Sequence, residues 1–296
     1  MIPVTIGILI LVFSLIHLIP GDPAIQIAGE NARPEDIQQV REQLGLDKPI
    51  GEQFVDYMSG LVRGDLGVSF RTRESVMVEV VRRYPATLEL AAGGMLVAIL
   101  VAFPLGMLSG IFRNSIIDHV ARFFALIGVS MPNFWFGPLL IIAFAIHFEW
   151  FPVSGREEGV RSLVLPSLTM GLSLAAILTR MIRVSIAEEL NNLYVTTALS
   201  KGLSKGAAVF RHAFRNALIP VITIVGLQFG ALLTGAIITE QIFAYPGLGR
   251  LLIQSIVARD YPQVQAVILV IALTYILINL LTDVVYAFID PRIQYE

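Results

Sequence analysis

Six stretches of this chain are apolar for long enough to cross a bilayer as helix, and that property constrains its fold more than any other. A hydrocarbon core of roughly 30 Å takes about 20 apolar residues at helical rise. The runs are Ile2–Ile19, Ala86–Phe112, Val120–Phe148, Leu163–Ile186, Ala217–Gln241 and Val264–Ile289. Lipid offers no hydrogen bonds, so each span has to satisfy its own backbone, which predicts an all-α, polytopic membrane protein with six transmembrane helices. Composition agrees, since 15% of the 296 residues are charged and a soluble domain carries about 25%. The first run has the length of a signal peptide but neither a basic start nor a small-residue cleavage site, and it reads as a retained helix.

Lys and Arg in short loops set orientation. The loops after the second and fourth spans, with their flanks and the C-terminal tail, hold nine: Arg113, Arg122, Arg180, Arg183, Lys201, Lys205, Arg211, Arg215 and Arg292. The opposite short loops hold four: Arg156, Arg161, Arg250 and Arg259. Both termini and the loop at 187–216 are therefore expected in the cytoplasm. Three parts follow: a first transmembrane helix at 1–19, an extracytoplasmic helical cap at 20–85, and a core of five transmembrane helices at 86–296.

The cap holds 8 of the 21 basic and 11 of the 23 acidic residues, too small a region for an independent enzyme domain. Pro34, Glu35 and Asp36 open a helix whose Ile37, Val40 and Leu44 share a face, and Gly45 ends it. Ile50, Phe54, Met58 and Leu61 predict a second helix before the turn at Gly64 to Gly67. Pro85 is placed to start the second span. That span carries Gly93, Gly94, Pro104, Gly106 and Gly110, and the fifth carries Gly226, Gly230 and Gly235. Small residues at such spacing either let helices pack closely or break them around a pathway.

Few residue patterns support chemistry. The three lysines, Lys48, Lys201 and Lys205, are followed by Pro or Gly, so there is no phosphate-binding loop of the Walker A kind. The four histidines form no H-E-x-x-H zinc motif, and there is no cysteine for a thiolate metal site. Gly202-Leu203-Ser204-Lys205-Gly206 matches the hydrolase elbow in letters, but a basic helical loop surrounds it where that motif needs a strand, and its glycines read as helix punctuation. Among polar residues in the spans, Asn133, Gln228, Thr234 and Glu240 are candidates to line a translocation path, and Thr274 could do the same. Asn279 and Asp283 share a helical face, and a structural pair with Arg180 or Arg183 is expected. The central thirds of the spans hold no carboxylate or histidine, which counts against an autonomous ion-coupled secondary transporter, the main alternative class.

The segment Tyr194–Pro220 mixes apolar and basic residues around Gly202 and Gly206. Attraction to anionic lipid explains its charge but not its glycines or its exit at Pro220. A short helix offered to a soluble partner explains both.

This loop resembles the cytoplasmic signature of permease subunits of binding-protein-dependent ABC importers, through Thr196-Thr197-Ala198, Gly202 and Ile219-Pro220. The signature's Glu is absent and the Gly-to-Pro distance is longer. Further stretches, HLIPGDPA, LGLDKP, GDLGVSF, SMPNFWFG, FPVSG, LPSLTMG, HAFRNALIPV, YPGLGR and RDYPQVQA, are similar to the oligopeptide, dipeptide and nickel branch, in its first-permease type, over nearly the whole chain. The resemblance implies a type I ABC importer permease fold, a heterodimer with a second homologous permease, two cytoplasmic ATPases that bind ATP and magnesium, and an extracytoplasmic solute-binding protein. It implies no cofactor in this chain, no nucleic acid partner, and residence in a bacterial or archaeal plasma (inner) membrane. The loop 187–216 would contain the coupling helix, with Thr197, Ala198, Lys201, Gly202, Leu203, Lys205, Gly206 and Val209 as ATPase-coupling residues. Asp22, Asp65, Tyr245 and Arg250 would face the binding protein. Di- or oligopeptides are the expected cargo, with nickel or glutathione as alternatives.

Overall fold

The computed structural model describes residues 2–18, 22–28, 32–43 and 45–289. Leu44 and Arg292, and the Pro20 that opens the cap, lie outside the described residues. In chain order the helices are α1 (Ile2–Leu18), α2 (Pro23–Ala28), α3 (Pro34–Gln43), α4 (Ile50–Val62), α5 (Val76–Ile111), α6 (Ile116–Ser130), α7 (Asn133–Leu140, running into a π-helical turn Ile141–His147), α8 (Val160–Glu189), α9 (Leu193–Ser200), α10 (Lys205–Ala208, with a π-helical turn Val209–Ala213), α11 (Phe214–Ile242), α12 (Leu248–Val257) and α13 (Tyr261–Ile289). The β-structure among the described residues is a single bridge between Val68 and Ser75. The chain divides into two units, Met1–Pro85 with Gly247–Ile276, and Ala86–Pro246 with Leu277–Glu296.

In the first unit, α3 and α4 fall where periodicity places them, and Gly45 adopts φ +65° just beyond α3, the left-handed turn that favours glycine. Pro85 does not start a helix as expected. It lies inside α5, which begins at Val76. Val76 and Val80, one turn apart, are buried against Leu248, Leu251, Ala266 and Val267, and that burial extends the helix upstream of the proline. Two motifs far apart in sequence meet here. Asp260 of RDYPQVQA is fully buried and accepts from the Ser69 hydroxyl and from the backbone N–H of Phe70 (3.1 Å) and Arg71 (3.3 Å), all in or beside GDLGVSF. Gln265 donates to the Val12 and Phe13 carbonyls of α1 at 3.0 and 3.3 Å, an interhelical polar link suited to apolar surroundings.

In the second unit, α5 and α8 run parallel with their backbones in near contact. A Cβ on Gly94 would lie 3.2 Å from Met170 Cβ, one on Gly106 2.7 Å from Ile182 Cβ, and one on Gly110 2.8 Å from Ile186 Cβ. These glycines therefore serve packing, and α5 passes unbroken through Pro104. The break comes elsewhere. Val120–Phe148, expected as one span, is divided at Met131–Pro132, where α6 and α7 meet at 105°. Proline disfavours helix at the residue before it, and Met131 is accordingly extended at φ −92°, ψ 114°.

Both halves nonetheless follow α8 in the opposite sense, through Asp118 with Arg183, Gly128 with Ala176, Asn133 with Ser173, and Gly137 with Thr169. That ladder covers about 21 Å of α8. Together with the parallel run of α5 and α8, it makes the bent pair one broken crossing rather than a loop that returns to its own side. Four helices are long and apolar enough to span singly, α5, α8, α11 and α13, and the broken pair makes a fifth. The sixth expected span rests on α1, which at 17 residues is about 26 Å long.

Candidate functional site

The loop between α8 and α11 has its own small core. Val195, Ala208 and Ala213 are buried together, with Leu190 and Leu199 packed against them. Ala198 is also buried, and Val209 is buried in the larger core that α5, α8 and α11 share. The loop's outward face carries Leu193, 85% exposed, with Tyr194, Thr196, Thr197, Ser200 and Lys201. Leu193, a large apolar side chain left almost bare, had no sequence signal beyond belonging to the loop.

Local chemistry explains the glycine and the serine. Gly202 stands at φ +92°, its N–H bonded to Leu199 O (2.9 Å) while the Leu203 N–H reaches Ala198 O (3.3 Å), the paired bonds of a Schellman cap on α9. Ser204 then caps α10, accepting from the Ala207 N–H at 3.3 Å through its hydroxyl and from the Ala208 N–H at 2.9 Å through its carbonyl. Lys205 opens α10 and Gly206 follows it, half-buried with open space where a Cβ would stand. The G-x-S-x-G letters are thus a helix stop followed by a helix start.

A polar clasp closes the loop at its stems. The Tyr194 hydroxyl donates to Glu189 at the end of α8 and accepts from Asn216 Nδ2 (3.1 Å) near the start of α11, while Asn192 Nδ2 donates to the same Glu189 oxygen (2.8 Å). Burial, then the adjoining Glu189 carboxylate, raises the Tyr194 pKa above its ordinary value, keeping it a donor. A cavity of about 370 Å³ separates the loop from the α5–α6 turn, lined by Ile111, Arg113, Ser115, Leu190, Asn191 and Leu199 among others.

The path candidates are placed differently from one another. Asn133 sits just past the elbow and accepts from the Ser173 hydroxyl at 2.7 Å. Ser173 also lines an apolar groove of about 320 Å³ with Val101, Phe124, Gly128, Met131 and Phe136. Thr234 is exposed and Gln228 half-buried on α11. Glu240 is fully buried and accepts from Thr87 Oγ1 at 2.6 Å, so of the four it presents no surface to a path. Thr274 is buried beside the Tyr84 hydroxyl at 3.0 Å.

The four residues expected to face outward also divide. Asp22 accepts from the Ala24 N–H (2.9 Å) and pairs with Arg41, and Asp65 accepts from the Gly67 N–H (2.9 Å) in a tight turn. Tyr245 is buried, its hydroxyl donating to Glu89 (3.3 Å), which also receives both ends of the Arg156 guanidinium. Arg250 is half-buried.

Sequence reasoning missed one charged centre altogether. Asp118, fully buried near the start of α6, accepts from Arg183 Nε (2.6 Å) and Nη2 (2.9 Å), Ser109 Oγ (2.5 Å) and the Asn114 N–H (2.9 Å), with Arg122 at 3.5 Å. Arg183 is therefore committed to α6 and not to Asp283 or Asn279 as expected. The capping pattern Ser115-x-x-Asp118 was the available signal, and the Asp118 N–H does bond the Ser115 hydroxyl (3.3 Å). Among the described residues, no three His, Asp or Glu side chains converge as a metal site would require.

The family described as binding-protein-dependent transport system inner membrane component matches residues 102–295, and the corresponding N-terminal family of transport system membrane components matches residues 2–91. The chain is 42% identical over 326 residues to the dipeptide transport system permease protein DppB of Escherichia coli (strain K12), covering all of this chain and 96% of that one. It is 43% identical over 296 residues to the glutathione transport system permease protein GsiC of the same strain, with the same coverage. Among solved structures, an inward-facing form of the MetNI methionine ABC transporter aligns at a TM-score of 0.61 and 16% identity, covering 72% of this chain and 97% of that one. An amino acid ABC transporter aligns at a TM-score of 0.55 and 17% identity, covering 73% and 94%. At such identity the likeness is one of fold.

Proposed function

Because the chain belongs to the binding-protein-dependent transport system inner membrane component family, the multi-pass permeases of ABC importers, we propose that it moves di- or oligopeptides inward and that α9 is the helix through which partner ATPases drive it. Two ATPase subunits would supply ATP and magnesium, and a second homologous permease would complete the membrane pathway. The extracytoplasmic binding protein would deliver the cargo. Nine basic residues against four in the short loops support termini and α9 on the cytoplasmic side.

The observation that carries this reading is the built loop itself. A chain without a phosphate-binding loop holds an exposed helix on a private core, stitched to the ends of two long helices by Tyr194, Glu189 and Asn216. Force on Leu193, Thr197 or Lys201 would reach α8 and α11 through that core and clasp. Ala198, buried beneath α9, half-buried Leu203 and Val209, buried in the bundle core, would pass it inward, and Gly202, Lys205 and Gly206 would act by shaping the turn. A two-state swing of the bundle is then biased by nucleotide-dependent closure of the ATPases.

The test is Gly202→Val in the reconstituted complex. A side chain there meets no neighbour within 4 Å, but φ +92° is strained for any L-residue, so the cap on α9 is what changes. ATP hydrolysis should continue while uptake per ATP falls at least several-fold, and unchanged coupling would remove α9 from the role. Uptake by this chain alone in liposomes under an ion gradient would instead identify a secondary transporter. For cargo, dipeptide relatives favour peptides, and GsiC favours a second reading, glutathione, itself a tripeptide. Calorimetry on the binding protein with dipeptides, glutathione and nickel distinguishes them.

A further inference from the structure

Where the uncharged part of α5 ends, the second unit holds a cavity rich in hydrogen-bond donors. α5 carries no charge from Leu90 to its end at Ile111, about 33 Å of helix, which matches the depth of a hydrocarbon core. The cavity of about 370 Å³ lies just beyond, between the α5–α6 turn and the loop at 187–216. The turn contributes Arg113 and Ser115, and Asn191 comes from just after α8. Leu190 and Leu199 give it an apolar wall.

The polar groups of this lining have protons to give. Arg113 is exposed, and among the described residues its guanidinium has no hydrogen-bond or ion-pair partner. The Asn191 side-chain amide has none either. Ser115 Oγ accepts from the Asp118 N–H (3.3 Å), which leaves its own proton available. No acidic side chain is among the described lining residues. The neighbouring carboxylates are committed elsewhere, Asp118 to Arg183 and Ser109, and Glu189 to Tyr194 and Asn192. The turn itself is held in place, since the Ser115 N–H bonds Phe112 O (3.2 Å) and the Asn114 N–H bonds Asp118 (2.9 Å). Two neutral donors beside an unpaired guanidinium make a site for an anion with several oxygens.

The rim of the cavity says which anion. Phe112, which lines it, is 48% exposed, and Ile116, next to Ser115, is 82% exposed. A soluble protein's acid needs the cation but not bare apolar surface beside it, whereas a phospholipid matches both. The site also stands where the apolar run of α5 stops, which is the level of lipid phosphates. Arg180, about two turns deeper on α8, is within reach of that layer for a snorkelling arginine. We propose that this cavity seats the phosphodiester of an anionic phospholipid, with Arg113 pairing with its oxygens, Ser115 and Asn191 adding neutral hydrogen bonds, and the acyl chains lying along Phe112 and Ile116. A lining without an acid has nothing to offer an ammonium, so a headgroup that lacks one is preferred. Bound there, the lipid joins the α5–α6 turn to the end of α8 and stiffens the start of the loop between them.

The experiment uses the full chain purified in dodecylmaltoside micelles and titrated with dioctanoyl phosphatidylglycerol, with binding read by native mass spectrometry. Arg113→Gln should weaken binding about fivefold and Asn191→Ala by less, while Arg211→Gln, an exposed charge outside the cavity, should leave Kd within about twofold. Hydrogen exchange across Leu190–Leu199 should slow when this lipid is added to wild type and not when it is added to Arg113→Gln. Arg113 is exposed and unpaired, so its loss should leave the unfolding midpoint unchanged, which separates a binding defect from a folding one. Equal affinity in Arg113→Gln and wild type, or equal affinity for dioctanoyl phosphatidylcholine, overturns the site. Inorganic phosphate that displaces the lipid at equal concentration would assign the cavity to free phosphate and overturn the lipid assignment. Lipid binding that survives Arg113→Gln while the assembled complex sheds its ATPases would give the site to a protein carboxylate, and the inference falls.

Discussion

Replacing Arg183 with Met should be among the most damaging single changes in the molecule. The guanidinium gives Asp118 two of its four close hydrogen bonds, at 2.6 and 2.9 Å, and its side chain is itself only 18% exposed. Without it, the buried carboxylate keeps the Ser109 hydroxyl and the Asn114 amide, with Arg122 at 3.5 Å as the nearest remaining charge. Removing one partner of a buried ion pair costs about 3 to 5 kcal/mol. Arg122 is half-exposed and can move inward, so the expected loss lies at the lower end, about 3 kcal/mol. Asp118→Asn keeps shape and removes charge, and should cost about 1.5 to 3 kcal/mol as the charged hydrogen bonds are lost. The double variant should then cost less than the sum by more than about 1 kcal/mol, because neither charge is stranded. The assay is unfolding in detergent micelles by added SDS, followed by tryptophan fluorescence. An Arg183→Met stability within about 0.5 kcal/mol of wild type, or an additive cycle, would falsify the view that this pair fastens α6 to α8.

Gly106→Leu should destabilise the bundle by about 1 to 3 kcal/mol, read in the same titration, because even its Cβ would meet Ile182 Cβ at 2.7 Å and Thr179 O at 2.9 Å. Gly235→Leu, with nothing within 4 Å, is the control expected to be close to neutral. Burial pushes the Tyr57 hydroxyl up from 10.0 to about 12, and its oxygen is buried without a partner. A raised folded pKa means that this group's contribution is complete below pH 10 and is lost as pH climbs towards about 12. Tyr57→Phe should therefore be no less stable at pH 7 and should lose less stability between pH 10 and 12; equal alkaline loss in both proteins would count against it.

The positions of the helices were legible because the forces that set them are local. Runs such as Leu163–Ile186 carry their own hydrophobic signal, and Gly45 and Gly202 carry conformations that few other residues accept. The loop at 187–216 was legible for the same reason, as charge and glycine where lipid-facing sequence should be. The elbow at Met131–Pro132 was written only as a proline inside an apolar run, and Pro104 and Pro166 are written the same way inside helices that continue. Which proline breaks its helix depends on what packs beside it. The buried carboxylates were least legible, since Asp118 finds Arg183 at a separation of 65 residues, Glu240 finds Thr87 at 153 and Asp260 finds Phe70 at 190. Nothing in the neighbouring sequence distinguishes such a group from an interfacial charge, so sequence offers Glu240 as one candidate among the polar residues of the spans, and its burial against Thr87 is visible only in the fold.

The glycine contacts between α5 and α8 have a mechanical consequence. Where side chains separate two helices, their rotamers act as bearings, and one rod can slide or roll on the other at little cost. From Gly94 to Gly110 that layer is nearly absent, and Ile182 and Ile186 are set into the notches like teeth. A Cβ brought to the place of Gly106 would meet Ile182 Cβ at 2.7 Å and the Thr179 carbonyl at 2.9 Å. The two helices are therefore keyed together as a single beam, one end of it joined to the clasp at Glu189, and a displacement applied there is passed along both without play.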